Sequence, residues 1–278
     1  MPESTPALSS GAAIGIDHVG IVAADLDQQA RIFSGLGFQL TPYASHASGR
    51  TGNRCAMLRR GSYLELMATA PGQVSTTLDR FLAIGPGAHI LALAIDDEVA
   101  ARDRLARAGI DAAVAIVERD APAGAKARFA VLMAPDGPEG RLLLVRQLTP
   151  ELLWRPDNTV HPNHATGIAE VIYAVPTPAE TMTRLSRVTG RSAVPDALGG
   201  YRIDLARGVV RVLPVDAAAK LLPGSSGGPA LAGLTVTVDE PTEAGGNATE
   251  SGDRTVHAGG VTIRFTRAAG SLARPVEP

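Results

Sequence analysis

Residues 16–38 read IDHVGIVAADLDQQARIFSGLGF, and residues 87–110 read GAHILALAIDDEVAARDRLARAGI. In each, a histidine sits in an apolar, β-rich run that ends at an aspartate and passes into a helical pattern. His18 and Asp25 are seven residues apart, as are His89 and Asp96, and one offset of 71 superimposes both pairs. The echo marks an internal repeat, and the repeat decides the fold.

The first copy continues from the strand IDHVGIVAA into the helix DLDQQARIFSGLGF. Asp25 is a plausible N-cap, Ile32, Phe33 and Leu36 fall at helical spacing, and Gly37 stands at the stop. FQLTPY reads as a short strand and ASHASGRTGNR as a turn-rich loop. CAMLRR and SYLELMAT form a hairpin turning at Arg60-Gly61. The unit is βαβββ. The second copy runs HILALAI, helix DDEVAARDRLARAGI, then DAAVAIVE, RFAVLMA and RLLLVRQL. A third starts at IAEVIYAV, with helix PAETMTRLSRVTG and strands YRIDLA and VVRVLPV. In a fourth, ALAGLTVTV and HAGGVTIRFTRA are strands, but the polar insert at 240–253 stands where a helix belongs and reads as a mobile loop. The expected fold is α+β: tandem βαβββ modules paired into two half-open barrel-like domains, at 14–149 and 165–270, with a linker at 150–164.

Composition narrows the function. Of 278 residues, 45% are hydrophobic and 19% charged, with a net charge of −2, which gives no electrostatic footprint for nucleic acid or an anionic membrane. The single cysteine, Cys55, excludes an intrachain disulfide and CxxC metal sites. The first residues lack a secretory pattern, and no apolar run approaches the ~18 residues of a spanning helix. A cytoplasmic protein is expected, with the first dozen residues and the final ARPVEP as loose ends.

The repeat also supplies a candidate site. Glu65 lies four residues after Gly61, and the same step from Gly140 reaches Leu144. The four related positions are therefore His18, Glu65, His89 and Leu144. A glutamate among leucines on a strand is costly to bury unpaired. If paired modules curve into one cleft, these positions converge. Two imidazoles and a carboxylate suit iron, zinc, manganese or nickel and leave coordination positions open.

The H-V-x-I…DL…LGF and YLELM patterns, the GxxYLEL run and the linker W-R-P…H-P-N resemble the vicinal oxygen chelate superfamily, in its four-module glyoxalase-like branch. The resemblance covers residues from about 14 to 268. It implies metal ligands at His18, Glu65 and His89, with Glu65 also catalytic. It implies a glyoxalase-type lyase or isomerase, or an extradiol-type dioxygenase, acting on a small oxygenated substrate that chelates the ion. Leu144 departs from the glyoxalase I pattern, where a second glutamate would stand. A metal-free protein that sequesters a small, partly aromatic molecule is the alternative, and Leu144 supports it.

Other residues weigh less. Arg146 shares the strand face of Leu144 and either holds an anionic substrate or snorkels to solvent. Asn53, Tyr63 and Met67 are candidate cleft-lining residues, with core packing as the default. Cys55 reads as a small buried residue, His46 as an exposed loop histidine, and His161 and His164 as turn residues. In the second pair of modules, Glu170 and roughly Ala232 replace the histidines, and Arg211 and Arg264 fall near the Glu65 position; this half reads as scaffold or lid. Loops 41–53, 68–86 and 118–127 are expected at the cleft mouth. Two module pairs in one chain remove the need for a homodimer to complete a cleft, while leaving one open.

Overall fold

The computed structural model describes residues 10–46, 48–121, 124–225, 228–240, 247–248 and 253–267. The first sheet contains β1 (Gly15–Val22), β2 (Ala44–Ser45), β3 (Thr51–Leu58), β4 (Ser62–Thr69), β5 (Gly87–Ala94), β6 (Val114–Asp120), β7 (Lys126–Met133) and β8 (Arg141–Gln147). Its strand order is β2-β3-β4-β1-β5-β8-β7-β6. β1 and β5 lie antiparallel at the centre, and each pairs in parallel with the last strand of its own module, β4 or β8. Both modules therefore face one concave surface.

The second sheet repeats this plan with β9 (Ala165–Val175), β10 (Val194–Pro195), β11 (Tyr201–Leu205), β12 (Gly208–Pro214), β13 (Leu231–Val238), β14 (Asn247–Ala248), β15 (Arg254–Ala258) and β16 (Val261–Arg267). Its order, β10-β11-β12-β9-β13-β16-β15-β14, is the same arrangement. The expected α+β fold of paired modules is thus seen as two mixed sheets with few helices, and between β13 and β14 the described residues hold no helix.

Local chemistry sets the helices. Asp25 accepts a bond from the Gln28 amide at the start of α1 (Leu26–Gly35), and Asp97 accepts from Val99 and Ala100 at the start of α3 (Glu98–Arg107). Phe33, Ala101 and Leu105 turn inward from these helices. α4 (Pro178–Thr189) begins with a proline and ends at Gly190, whose φ of 68° is left-handed. Two helices fall where the sequence suggested none. α2 (Thr76–Ile84) lies inside the stretch read as loop 68–86, capped by Ser75, and α5 (Val215–Leu221) precedes the fourth module. At nine and seven residues, both fall below the window over which an apolar helical period is read.

Three other expectations change. Residues 38–43 form no strand; the Thr41 amide bonds to the Cys55 carbonyl and pairing resumes at β2. The loop at 44–54 shrinks, because β3 already begins at Thr51. Gly11 and Ala12, at the end of the first dozen residues, are buried rather than loose, and the adjoining Ala13 amide bonds to the Thr189 carbonyl. Residues 1–9, the ARPVEP tail and most of the 240–253 insert lie outside the described residues; within that insert Asn247–Ala248 pair with β15.

One buried apolar cluster runs through both sheets, from Ile16, Phe33, Leu64 and Leu105 to Tyr173, Leu185 and Phe265. Each large side chain fully removed from water contributes about 1.5–3 kcal/mol. The linker is built into this body. His161 accepts the Gln39 amide at Nδ1 and donates from Nε2 to the Met57 carbonyl, while Asn163 reaches the Leu36 carbonyl. Among the described residues no helix is long and apolar enough to cross a membrane.

Candidate functional site

The concave face of the first sheet holds a cavity of about 240 Å³. Its polar wall includes His18, His46, Tyr63, Glu65, Arg119 and Arg141, and its apolar wall includes Ile90, Phe129, Val131 and Leu143. Glu65 is the centre. Its Oε1 accepts from Arg119 Nη2 at 2.8 Å and from the Asn53 amide nitrogen, with His46 Nε2 at 3.3 Å; its Oε2 lies 3.6 Å from His18 Nε2. Burial opposes ionisation of Glu65, yet Arg119, His46 and His18 together hold its carboxyl well below the ordinary carboxylate value. Burial likewise works against the Arg119 charge, and Glu65 overrides it, leaving the guanidinium more basic than usual. Cleft and ion pair are one unit.

His18 is oriented from behind. Its Nδ1 lies 2.6 Å from Asp17 Oδ1, and Asp17 Oδ2 accepts from the Gln147 amide at 2.9 Å. Its ring stacks on Tyr63 with centroids 4.4 Å apart. Nε2 is then the ring atom offered to the cavity. Cys55 lies opposite Glu65 in the β3–β4 pairing, and burial, with the nearby Glu65 charge, pushes its thiol up to about 12, so it stays a neutral packing group.

The structure brings His18, Glu65, Asn53, Tyr63 and Met67 to this cleft and leaves out His89, Leu144 and Arg146. The reason is register. The capping residues Asp25 and Asp97 are 72 apart, not 71, so His18 matches Ile90, and Asp17 matches His89. The β1–β5 ladder agrees. Its partners step from Ile16/Leu93 to His18/Ala92 and from Gly20/Ile90 to Ile21/Ala88, so Asp17 and His89 are the extra residues of two symmetry-related β-bulges. His89 turns to the Gly85 carbonyl, 2.8 Å from its Nε2, and stacks on Phe81; burial lowers its pKa against the opposing effect of that bond. The same correction replaces Leu144 by Leu143. Gly20 pairs with Glu65 and its counterpart Ala92 pairs with Leu143, while Leu144 is packed in the core on the other face. Arg146 follows Leu144's parity and ion-pairs with Glu98 at 2.7 Å, away from the cleft.

Three site residues escaped the sequence reading. His46 is drawn in by the β2–β3 hairpin, which pairs Ala44 with Asn53; a histidine and an asparagine flanking one tight turn were the available signal. Arg119 follows Val117 at period two on β6, and both line the cavity. Asp17 adjoins His18, and only the bulge gives it its role. In the second sheet, Glu170 and Arg211 hold the places of His18 and Glu65. They neutralise each other, with Arg211 Nε 2.7 Å from Glu170 and Nη1 3.3 Å from Asp196, and Ala232 is a bulge residue like His89.

The glyoxalase-like domain family model matches residues 16–189, well over half of the chain. The chain belongs to the glyoxalase-like domain family. A solved hypothetical protein from Staphylococcus aureus superposes with a TM-score of 0.69 at 14% identity, covering 92% of this chain and all of that one. A triple mutant of 4-hydroxymandelate synthase from Streptomyces coelicolor superposes with a TM-score of 0.57 at 17% identity, covering 82% of this chain and 72% of that one. These likenesses establish the fold, the one that the resemblance to the vicinal oxygen chelate superfamily implied. A search of curated protein sequences finds no match.

The metal that this superfamily's fold implies can be tested against the donors. The set His18, Glu65 and His89 does not assemble, because His89 faces away. His46 joins His18 and Glu65 instead, but Arg119 Nη2 stands 2.8 Å from Glu65 Oε1 and 3.2 Å from His46 Nε2. The guanidinium thus already supplies the positive charge between those two donors, and a divalent ion there would face it at close range. No group of three or more His, Cys, Asp or Glu among the described residues is arranged to hold a metal. The residues present do not fit the ion.

Proposed function

We propose that the first cleft is a metal-independent acid–base site. In it His18 exchanges a proton at Nε2 with a small oxygenated, partly apolar substrate, in a step of isomerase or lyase type. The observation that carries this reading is the Asp17–His18 pair. A buried carboxylate fixes Nδ1 at 2.6 Å, so the other ring nitrogen is directed at the cavity. The Glu65–Arg119 pair lends the cleft a fixed, self-compensated dipole beside that nitrogen. Ile90, Phe129, Val131 and Leu143 exclude water from the reacting atoms.

The test uses proton exchange itself. A panel of small 2-oxo acids, α-hydroxyketones and phenolic acids is incubated with the protein in heavy water, with chelator present, and deuterium uptake is followed by NMR. The expected result is uptake at one carbon of at least one compound, unchanged by chelator, slowed about 100-fold or more in His18→Ala and also slowed in Asp17→Asn. Uptake that appears only when a metal is added would overturn the reading. Binding without uptake would replace it by sequestration.

A second reading keeps a divalent ion of iron, zinc, manganese or nickel, and with it a metal-dependent lyase, isomerase or dioxygenase. It is favoured by the fact that both imidazoles have Nδ1 engaged, His18 on Asp17 and His46 on the Thr51 hydroxyl at 2.7 Å, leaving both Nε2 atoms near Glu65. It requires Arg119 to withdraw from Glu65. Metal analysis of the purified protein separates the two.

A further inference from the structure

A second cavity lies apart from the cleft over Glu65. A space of about 880 Å³ opens where the ends of β5 and β8 meet the linker and Arg207, in the turn between β11 and β12. It shares Val145 with the cleft, and Asp17 forms part of its wall. Its size is that of a site for a whole organic molecule.

Most of the charge around it is already used. Arg146 is held by Glu98 at 2.7 Å, Arg155 by Asp157 at 2.5 Å, and Arg59 by Asp239. Asp17 is occupied by His18 and Gln147. Asp96 and Glu151 are exposed to water at the rim. Arg207 differs. It is half-buried, and its side chain has no hydrogen-bond or ion-pair partner among the described residues. Gly15 makes room for it: a Cβ there would come within 2.9 Å of Arg207 Cβ and Nε. Trp154 contributes an aromatic ring to the same cavity, held edge-on to Tyr63. A half-buried guanidinium without a counter-charge favours an anion, and an aromatic wall favours a flat, apolar body.

We propose that this cavity is a second small-molecule site, for a planar organic anion such as an aromatic carboxylate or sulfonate, with its ring against Trp154 and its charge on Arg207. The proposal does not depend on the reading of the cleft. Trp154 is the only tryptophan of the chain, so its fluorescence reports this cavity directly.

The experiment titrates the full chain with 8-anilinonaphthalene-1-sulfonate, exciting Trp154. Saturable quenching of its emission with one-to-one stoichiometry is expected. Arg207→Gln should weaken it about 10-fold or more, the effect of one lost charge-assisted contact, and Arg207→Lys should restore most of it. His46→Ala, which alters the cleft and touches no residue lining this cavity, should leave it unchanged, which separates this site from the cleft. A comparison that needs no variant is displacement of the probe by 2-naphthoate against neutral 2-naphthalenemethanol, with naphthoate about 10-fold the better competitor. The proposal is overturned if Trp154 emission shows no saturable change. It is also overturned if a folded Arg207→Gln binds like the parent, or if the two naphthalenes compete equally.

Discussion

Glu65 is 3% exposed and ionised, and Arg119 on a distant strand sustains that state. Removing one partner of such a pair strands the other. Arg119→Met is expected to cost about 3–5 kcal/mol in urea unfolding at pH 7, and the double change Arg119→Met, Glu65→Leu to recover most of it. A double variant no more stable than the single one would mean that the pair is not the unit described. Histidines add a pH dependence. Burial, against the opposing backbone bond in each case, lowers the pKa of His161 and of His89 below the ordinary 6.5. The unfolded chain then binds more protons just below that value, so stability is full above 6.5 and falls as pH drops beneath it. His161→Gln should flatten the slope of unfolding free energy between pH 7 and 5. Glu65 acts in the same sense at lower pH, because its depressed value makes the folded state the weaker proton binder.

At the scale of elements, two bulges decide which side chains meet. A strand has period two, so an offset wrong by one residue exchanges cleft for core. The histidine–aspartate echo in the sequence is genuine, but it aligns His18 with a bulge residue. The helix caps carry the true register, since Asp25 and Asp97 are both N-caps and lie 72 apart. The modules and the places of His18 and Glu65 on their strands were legible because alternation and turn glycines encode them locally. The departure of His89 was not, because a bulge is settled by cross-strand pairing. Arg119 was hidden for a related reason: nothing local says that an edge strand's arginine reaches a glutamate 54 positions earlier. The caps can be tested directly. Asp97→Ala should cost about 1 kcal/mol of stability, measured by denaturant unfolding, and Asp25→Ala a similar amount. A negligible loss in both would remove the caps as register markers.

At the scale of the whole molecule, the two sheets are bound by packing and by a few buried polar clamps. Arg104 on α3 is 8% exposed and donates to the Gly11, Arg187 and Val188 carbonyls, the last two at the C-terminal turn of α4. Arg104→Met should therefore cost about 2 kcal/mol or more. With one apolar cluster running through both sheets, thermal unfolding of the parent should be a single transition by calorimetry. Two resolved transitions would mean that the halves fold separately. The same architecture explains why one sheet carries the candidate chemistry. The second sheet fills the equivalent positions with the self-neutralised pair Glu170–Arg211, while the first offers a histidine braced by Asp17 and open to a cavity. The proposal that Arg119, not a metal ion, compensates Glu65 decides between the two readings of the cleft. It is tested most directly by plasma mass spectrometry of protein purified without a metal-binding tag and exposed to iron, zinc, manganese and nickel, beside the His18→Ala, His46→Ala double variant. No element should be retained near one per chain, and parent and variant should not differ. Near-stoichiometric metal in the parent that disappears in the variant would contradict it.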